Sequence, residues 1–128
     1  MRMTSFLSSE RIRGAVAVEY GILLPAFLAL VLGIMDTGRL LWTQTALDRA
    51  VEAAARCAAV DTIRCATAAQ VQAYGADQAF GMTITSSAFS VSAAGCGMQV
   101  SAEYPFQLII PWLARSELTL TATACYPN

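Results

Sequence analysis

The Gly14–Ala15 bond stands where a short arginine-bearing leader meets a long apolar run, and a carboxylate, Glu19, follows with Tyr20 beside it. Cutting after Gly14 gives Ala15 a new α-ammonium. Residues four apart share one face of a helix, so the Glu19 carboxylate can meet that cation. Left alone, the carboxylate is expensive, since an acidic side chain at the centre of a membrane helix costs about 2.5–3.5 kcal/mol on insertion scales. Pairing between neighbouring subunits is more useful than pairing within one. The desolvation of both charges is offset only where they meet, and a charge in apolar packing fixes register more than it adds stability.

The run that holds Glu19 is long enough to set its own environment. Ala15 to Met35 is twenty-one residues with Glu19 as the sole charge. As a helix it covers about 32 Å, matching a hydrocarbon core of about 30 Å. The rest of the chain is too small to wrap a helix that is apolar on every side. Before the run Arg2, Arg11 and Arg13 outweigh Glu10, and after it Asp36 and Arg39 cancel, so the N-terminus is expected in the cytoplasm and the C-terminal part outside it. The stretch "GIMDTGRLLW" at the end of the run offers no A-x-A site, which argues against ordinary signal-peptide cleavage. Pro25 and Gly21 favour a harmless kink, and the span has no clean GxxxG motif for close helix approach.

Composition narrows the function classes. The 128 residues are 56% hydrophobic and only 13% charged, with a formal net charge of −1 and neither His nor Lys. A nucleic-acid partner is not expected. Neither is a cofactor or a metal site, and the usual general base and Schiff-base lysine are missing, so an enzyme is not expected either. The acids Asp61, Asp77, Glu103 and Glu117 are scattered and read as solvated surface charge. Trp42, Phe106 and Trp112 read as core residues or membrane-interface anchors.

Beyond the run, Leu40, Leu47, Val51, Ala54 and Ala58 recur at helical spacing, with Arg49, Glu52 and Arg56 opposite. One helix from about residue 11 to about 59 is expected, apolar in its first half and amphipathic in its second. Residues 67–80 read as a second helix capped by Thr67, weakened by Gly75 and stopped near Gly81. Residues 83–92, 98–104 and 118–125 alternate as strands, and "FQLIIPWL" is a short edge strand or an apolar loop around Pro111. The fold class is α+β: a single long N-terminal helix packed by a small antiparallel sheet and a short second helix. The expected organisation is a basic leader 1–14, a transmembrane half 15–36, an exported amphipathic half 37–59 and an exported disulfide-bearing region 60–128.

Four cysteines, Cys57, Cys65, Cys96 and Cys125, all lie past the apolar run, as disulfides in an oxidising compartment would. Three connectivities are possible. The favoured one joins Cys57 to Cys65 across a short loop and Cys96 to Cys125 between neighbouring strands. Simple alternation puts the last two on unlike faces, so a bulge near "GCG" is expected.

"G-AVAVEY" resembles the processing site of the Flp/Tad branch of type IV pilins. The stretch "RGAVAVEYGILLPAFLALVLGIMDTGRLLWTQTALDRAVEAAAR" is similar to the TadE-like minor pilin, or pseudopilin, family. The resemblance implies a membrane-anchored prepilin-type subunit that takes part in Flp pilus assembly for adherence and biofilm formation. Its implied partners are a prepilin peptidase, other pilin subunits, the inner-membrane assembly platform and the lipid bilayer. It also implies that Gly14 precedes the cut, Ala15 is the mature N-terminus, and Glu19 and Tyr20 complete the signal. Two rivals are an uncleaved single-pass scaffold and a membrane-tethered exported enzyme.

Overall fold

The computed structural model describes the backbone of residues 5–109 and 117–127, and side chains from Gly14 onward within those segments. Helix α1 (Ser5–Val60) is followed by α2 (Ala68–Gln78), a single 3-10 turn (Ser86–Ala88) and strands β1 (Phe89–Ala94), β2 (Gly97–Gln107) and β3 (Glu117–Tyr126). The architecture is the expected α+β. The chain divides into two compact units at the Met35–Asp36 boundary.

In the first unit every side chain from residue 14 to residue 30 is exposed, aromatic and aliphatic alike. Leu23, Leu24, Phe27 and Leu30 point outward around the helix with no protein cover. A helix apolar on all sides needs an apolar medium. By length and hydropathy α1 is the one described helix able to cross a membrane. Pro25 lies inside it without ending it.

The second unit has its own core. Leu47, Ala50, Val51, Ala54 and Ala55 of α1 are buried with Val71 of α2 and with Phe89, Val100, Ala102, Phe106, Leu120 and Ala122 of the sheet. Arg49, Glu52 and Arg56 are exposed, as the helical spacing required. Helix α2 starts in a capping box: the Thr67 hydroxyl accepts from the Gln70 N–H, and the Gln70 side chain accepts from the Thr67 N–H. Gly75, which weakens the helix as sequence, is needed where it sits. A Cβ there would lie 2.9 Å from the Phe89 ring.

The sheet is antiparallel in the order β1-β2-β3, with β2 paired to β3 from Met98↔Tyr126 to Gln107↔Glu117. The register is unbroken along both strands, and Val100, Ala102 and Phe106 face the core. Two sequence expectations change. Residues 83–88 do not pair: β1 begins only at Phe89. "FQLIIPWL" is split, with Phe106 and Gln107 ending β2, Leu108 and Ile109 outside it, and the stretch around Pro111 and Trp112 outside the described residues.

Candidate processing site and the disulfide-bearing region

Gly14, Ala15, Glu19 and Tyr20 all lie on α1 and all are exposed, Tyr20 at 69%. Nothing lies within 4 Å of where a Gly14 side chain would begin. Ala15 and Glu19 are separated by one helical turn, about 6 Å along the axis. The Glu19 carboxylate makes no hydrogen bond or salt bridge with any described residue. Among the described residues the charge is therefore presented and unused. The arginines of the leader have side chains outside the described residues.

A different carboxylate does find partners. Asp36, treated above as a flank charge, is 4% exposed and is the buried charged residue of the second unit. Its Oδ1 lies 3.1 Å from Arg39 Nη1, and its Oδ2 accepts the Ile109 N–H at 3.0 Å. Arg39 in turn stands 5.2 Å from the centroid of the Phe106 ring. Spacing alone could have signalled the i,i+3 pair, but not the backbone amide supplied 73 residues away. The arrangement ties the end of β2 to α1 and satisfies both oxygens of a buried acid, which a lone carboxylate there would lack. Phe106 is thereby a core residue, 3% exposed, while Trp42 is 70% exposed.

The cysteines pair as Cys57–Cys65 and Cys96–Cys125. The first closes the turn after α1. Inside it Asp61 Oδ1 accepts from the Ile63 and Arg64 amides at 3.2 and 2.9 Å. The Arg64 amide, more than its guanidinium, holds the Asp61 carboxyl below its ordinary value. This braced turn leaves Ile63 89% exposed. The second disulfide needs no bulge. Ala94 pairs with Gly97, so Cys96 occupies the two-residue connection between β1 and β2 rather than a strand position. Gly97, at φ 125°, is held to glycine because a Cβ would run into the Tyr126 carbonyl oxygen. Among the described residues no group of three or more His, Cys, Asp or Glu is placed to hold a metal.

The family model described as "TadE-like protein" matches residues 14–56. Residues 14–56 are TadE-like. No curated protein and no solved structure matches the chain. The TadE-like segment holds Gly14, Ala15, Glu19 and Tyr20 as well as the Asp36–Arg39 pair, and it stops one residue short of Cys57. The match ends inside α1, whose apolar stretch has the length and hydropathy to cross a membrane.

Proposed function

We propose that the protein is a prepilin-type subunit of a Flp/Tad pilus. A prepilin peptidase cuts it after Gly14, and the Ala15 amine of one subunit then pairs with Glu19 of a neighbour. The reading rests on one observation above the rest: Glu19 lies exposed, with no partner among the described residues, in an apolar helix one turn from Ala15. In this reading residues 1–14 are a cytoplasmic leader, 15–36 span the inner membrane, and 37–128 lie in the periplasm until assembly carries them into a pilus used for adherence.

The test is the mass of the mature N-terminus after co-expression with the cognate prepilin peptidase. A chain beginning at Ala15, abolished by Gly14→Val, is the expected result. An intact Met1 that is indifferent to Gly14→Val overturns processing and assigns the chain to an uncleaved single-pass scaffold.

A further inference from the structure

Leu41, Trp42, Ile109 and Leu118 are all left exposed in the second unit, and the partners of Asp36 and Arg39 bring them to one end of it. Asp36 opens the unit on α1 and accepts the Ile109 amide at 3.0 Å. Arg39, one turn on, stands over the Phe106 ring, and Phe106 pairs with Leu118 across β2 and β3. Trp42 follows within the next turn and lines a groove of about 820 Å³ together with Arg39, Phe106 and Gln107. The core does not account for these side chains. Alternation with Leu120 and Ala122 sets Leu118 on the core-facing side of β3, yet it is 41% exposed because the core stops short of it.

What meets this end follows from where it begins. Asp36 directly succeeds the apolar run Ala15–Met35, so a surface beside Asp36 is beside the point where a membrane-spanning α1 leaves the bilayer. The headgroup layer is about 5–8 Å deep on each side, the remainder of about 40–45 Å in total around a core of about 30 Å. Helix α1 rises about 5 Å from Asp36 to Arg39 and about 9 Å to Trp42. Long side chains on a helix lean toward its N-terminus, here toward the run, which sets the guanidinium and the indole within that layer. Their chemistry suits that depth, since tryptophan, and arginine on its apolar stem, are favoured at membrane surfaces. The acid at this level is turned inward: Asp36 has both oxygens bonded, while Arg39 stays half-exposed. Glu117, next to Leu118, lies on the opposite side of β3 by strand alternation. The other end of α1 is out of reach, because the helix adds about 36 Å between Asp36 and Val60.

We propose that this end of the second unit rests in the headgroup layer of a phospholipid bilayer. Leu118 and Ile109 form a second apolar contact with lipid beside the one made by α1, and Arg39 and Trp42 stand between the two. The sheet is thereby held at the membrane surface until the subunit is taken into a filament. Continuity with the apolar run is what selects lipid as the occupant. The inference rests on the membrane span in the proposed function and is independent of cleavage after Gly14.

The experiment is depth-dependent quenching of tryptophan fluorescence in the full chain. The chain is placed in vesicles of palmitoyl-oleoyl phosphatidylcholine doped with lipid spin-labelled either on the headgroup or at the end of an acyl chain. Trp42→Phe with Trp112→Phe removes both native tryptophans, and Leu118→Trp, Phe27→Trp or Ile63→Trp then supplies one reporter. Headgroup-labelled lipid is expected to quench the Leu118→Trp reporter about twofold more than chain-end-labelled lipid does. The Phe27→Trp reporter is expected to show the reverse order, and the Ile63→Trp reporter to be quenched by neither. Trp112→Phe alone leaves Trp42 as its own reporter, expected to follow the Leu118→Trp pattern, and keeps the test decisive if the sheet variant misfolds. Headgroup quenching at Leu118→Trp and at Trp42 no stronger than at Ile63→Trp, with chain-end quenching intact at Phe27→Trp, overturns the inference and leaves the span standing. Loss of chain-end quenching at Phe27→Trp overturns the span and the inference with it. Headgroup quenching at Leu118→Trp that grows as the protein is diluted into lipid puts a second copy on this surface and overturns the inference too.

Discussion

The two units of this chain use their residues in opposite ways. From Gly14 to Leu30 every side chain faces outward, and the one carboxylate there has no partner among the described residues. From Asp36 onward a carboxylate is buried and bonded on both oxygens, the cysteines are paired, and a core runs through helix and sheet. The first unit is incomplete by itself: its apolar surface calls for an apolar medium, and under the proposed function its charge calls for another subunit. The second pairs its buried acid and its cysteines within itself. Family likeness follows the same gradient, covering residues 14–56 and ending before the disulfides.

The sharpest way to break this contrast is Glu19→Ala. Entry of the subunit into sheared filaments, read by immunoblot, is expected to be lost, while the pairing of both disulfides and the protease resistance of residues 36–128 stay unchanged. Normal piliation in that variant would refute the pairing role of Glu19. The reverse change is Phe89→Ala. Phe89 is 2% exposed and packs against Gly75, so its truncation is expected to cost about 3–5 kcal/mol in denaturant unfolding followed by near-UV circular dichroism. Cleavage at Gly14 is expected to proceed as before; a linked loss of cleavage would mean that the units do not act separately.

Smaller effects sharpen the picture inside the second unit. Replacing Cys96 and Cys125 together by Ser releases a bridge between residues 29 apart and is expected to cost about 3 kcal/mol. Replacing Cys57 and Cys65, only 8 apart, is expected to cost less, because a shorter loop restrains the unfolded chain less. The smallest effect is acid sensitivity at Asp61. Its folded pKa is lowered, so the stability it contributes is present above the ordinary carboxylate value of about 3.9 and is lost as pH falls through the folded value. Asp61→Asn is expected to flatten that acid limb of an unfolding-versus-pH curve by lowering stability slightly near neutrality while leaving the acid end unchanged.

Much of the fold was legible because its signals are local. The unbroken apolar run, the face marked by Leu47, Val51 and Ala54, the Thr67 cap and the alternation from Met98 to Tyr104 each need only a few neighbouring residues to be read. The misread positions depend on a distant partner. Residues 83–88 have strand chemistry, but they fail to pair because the residue they would meet is Pro105. Gly75 looks like a helix defect until Phe89 is placed against it. Cys96 seems to require a bulge until the hairpin connection is located around it. Of the candidate processing site, the types and spacing were readable; the structure adds that all four residues are exposed on one helix.

By itself, then, the sequence determined the elements, the membrane-length helix and the spacing of Gly14, Ala15, Glu19 and Tyr20, since these follow from composition and periodicity within a turn or two of chain. Only the tertiary structure decided that Asp36 is a buried anchor taking the Ile109 amide, and that Gln44 and Gln72 donate to the Thr121 and Phe89 carbonyls at the two outer edges of the sheet. A backbone hydrogen bond or a steric limit between residues tens of positions apart has no local signature. It exists only once folding has set the register between strands and brought helix and sheet together.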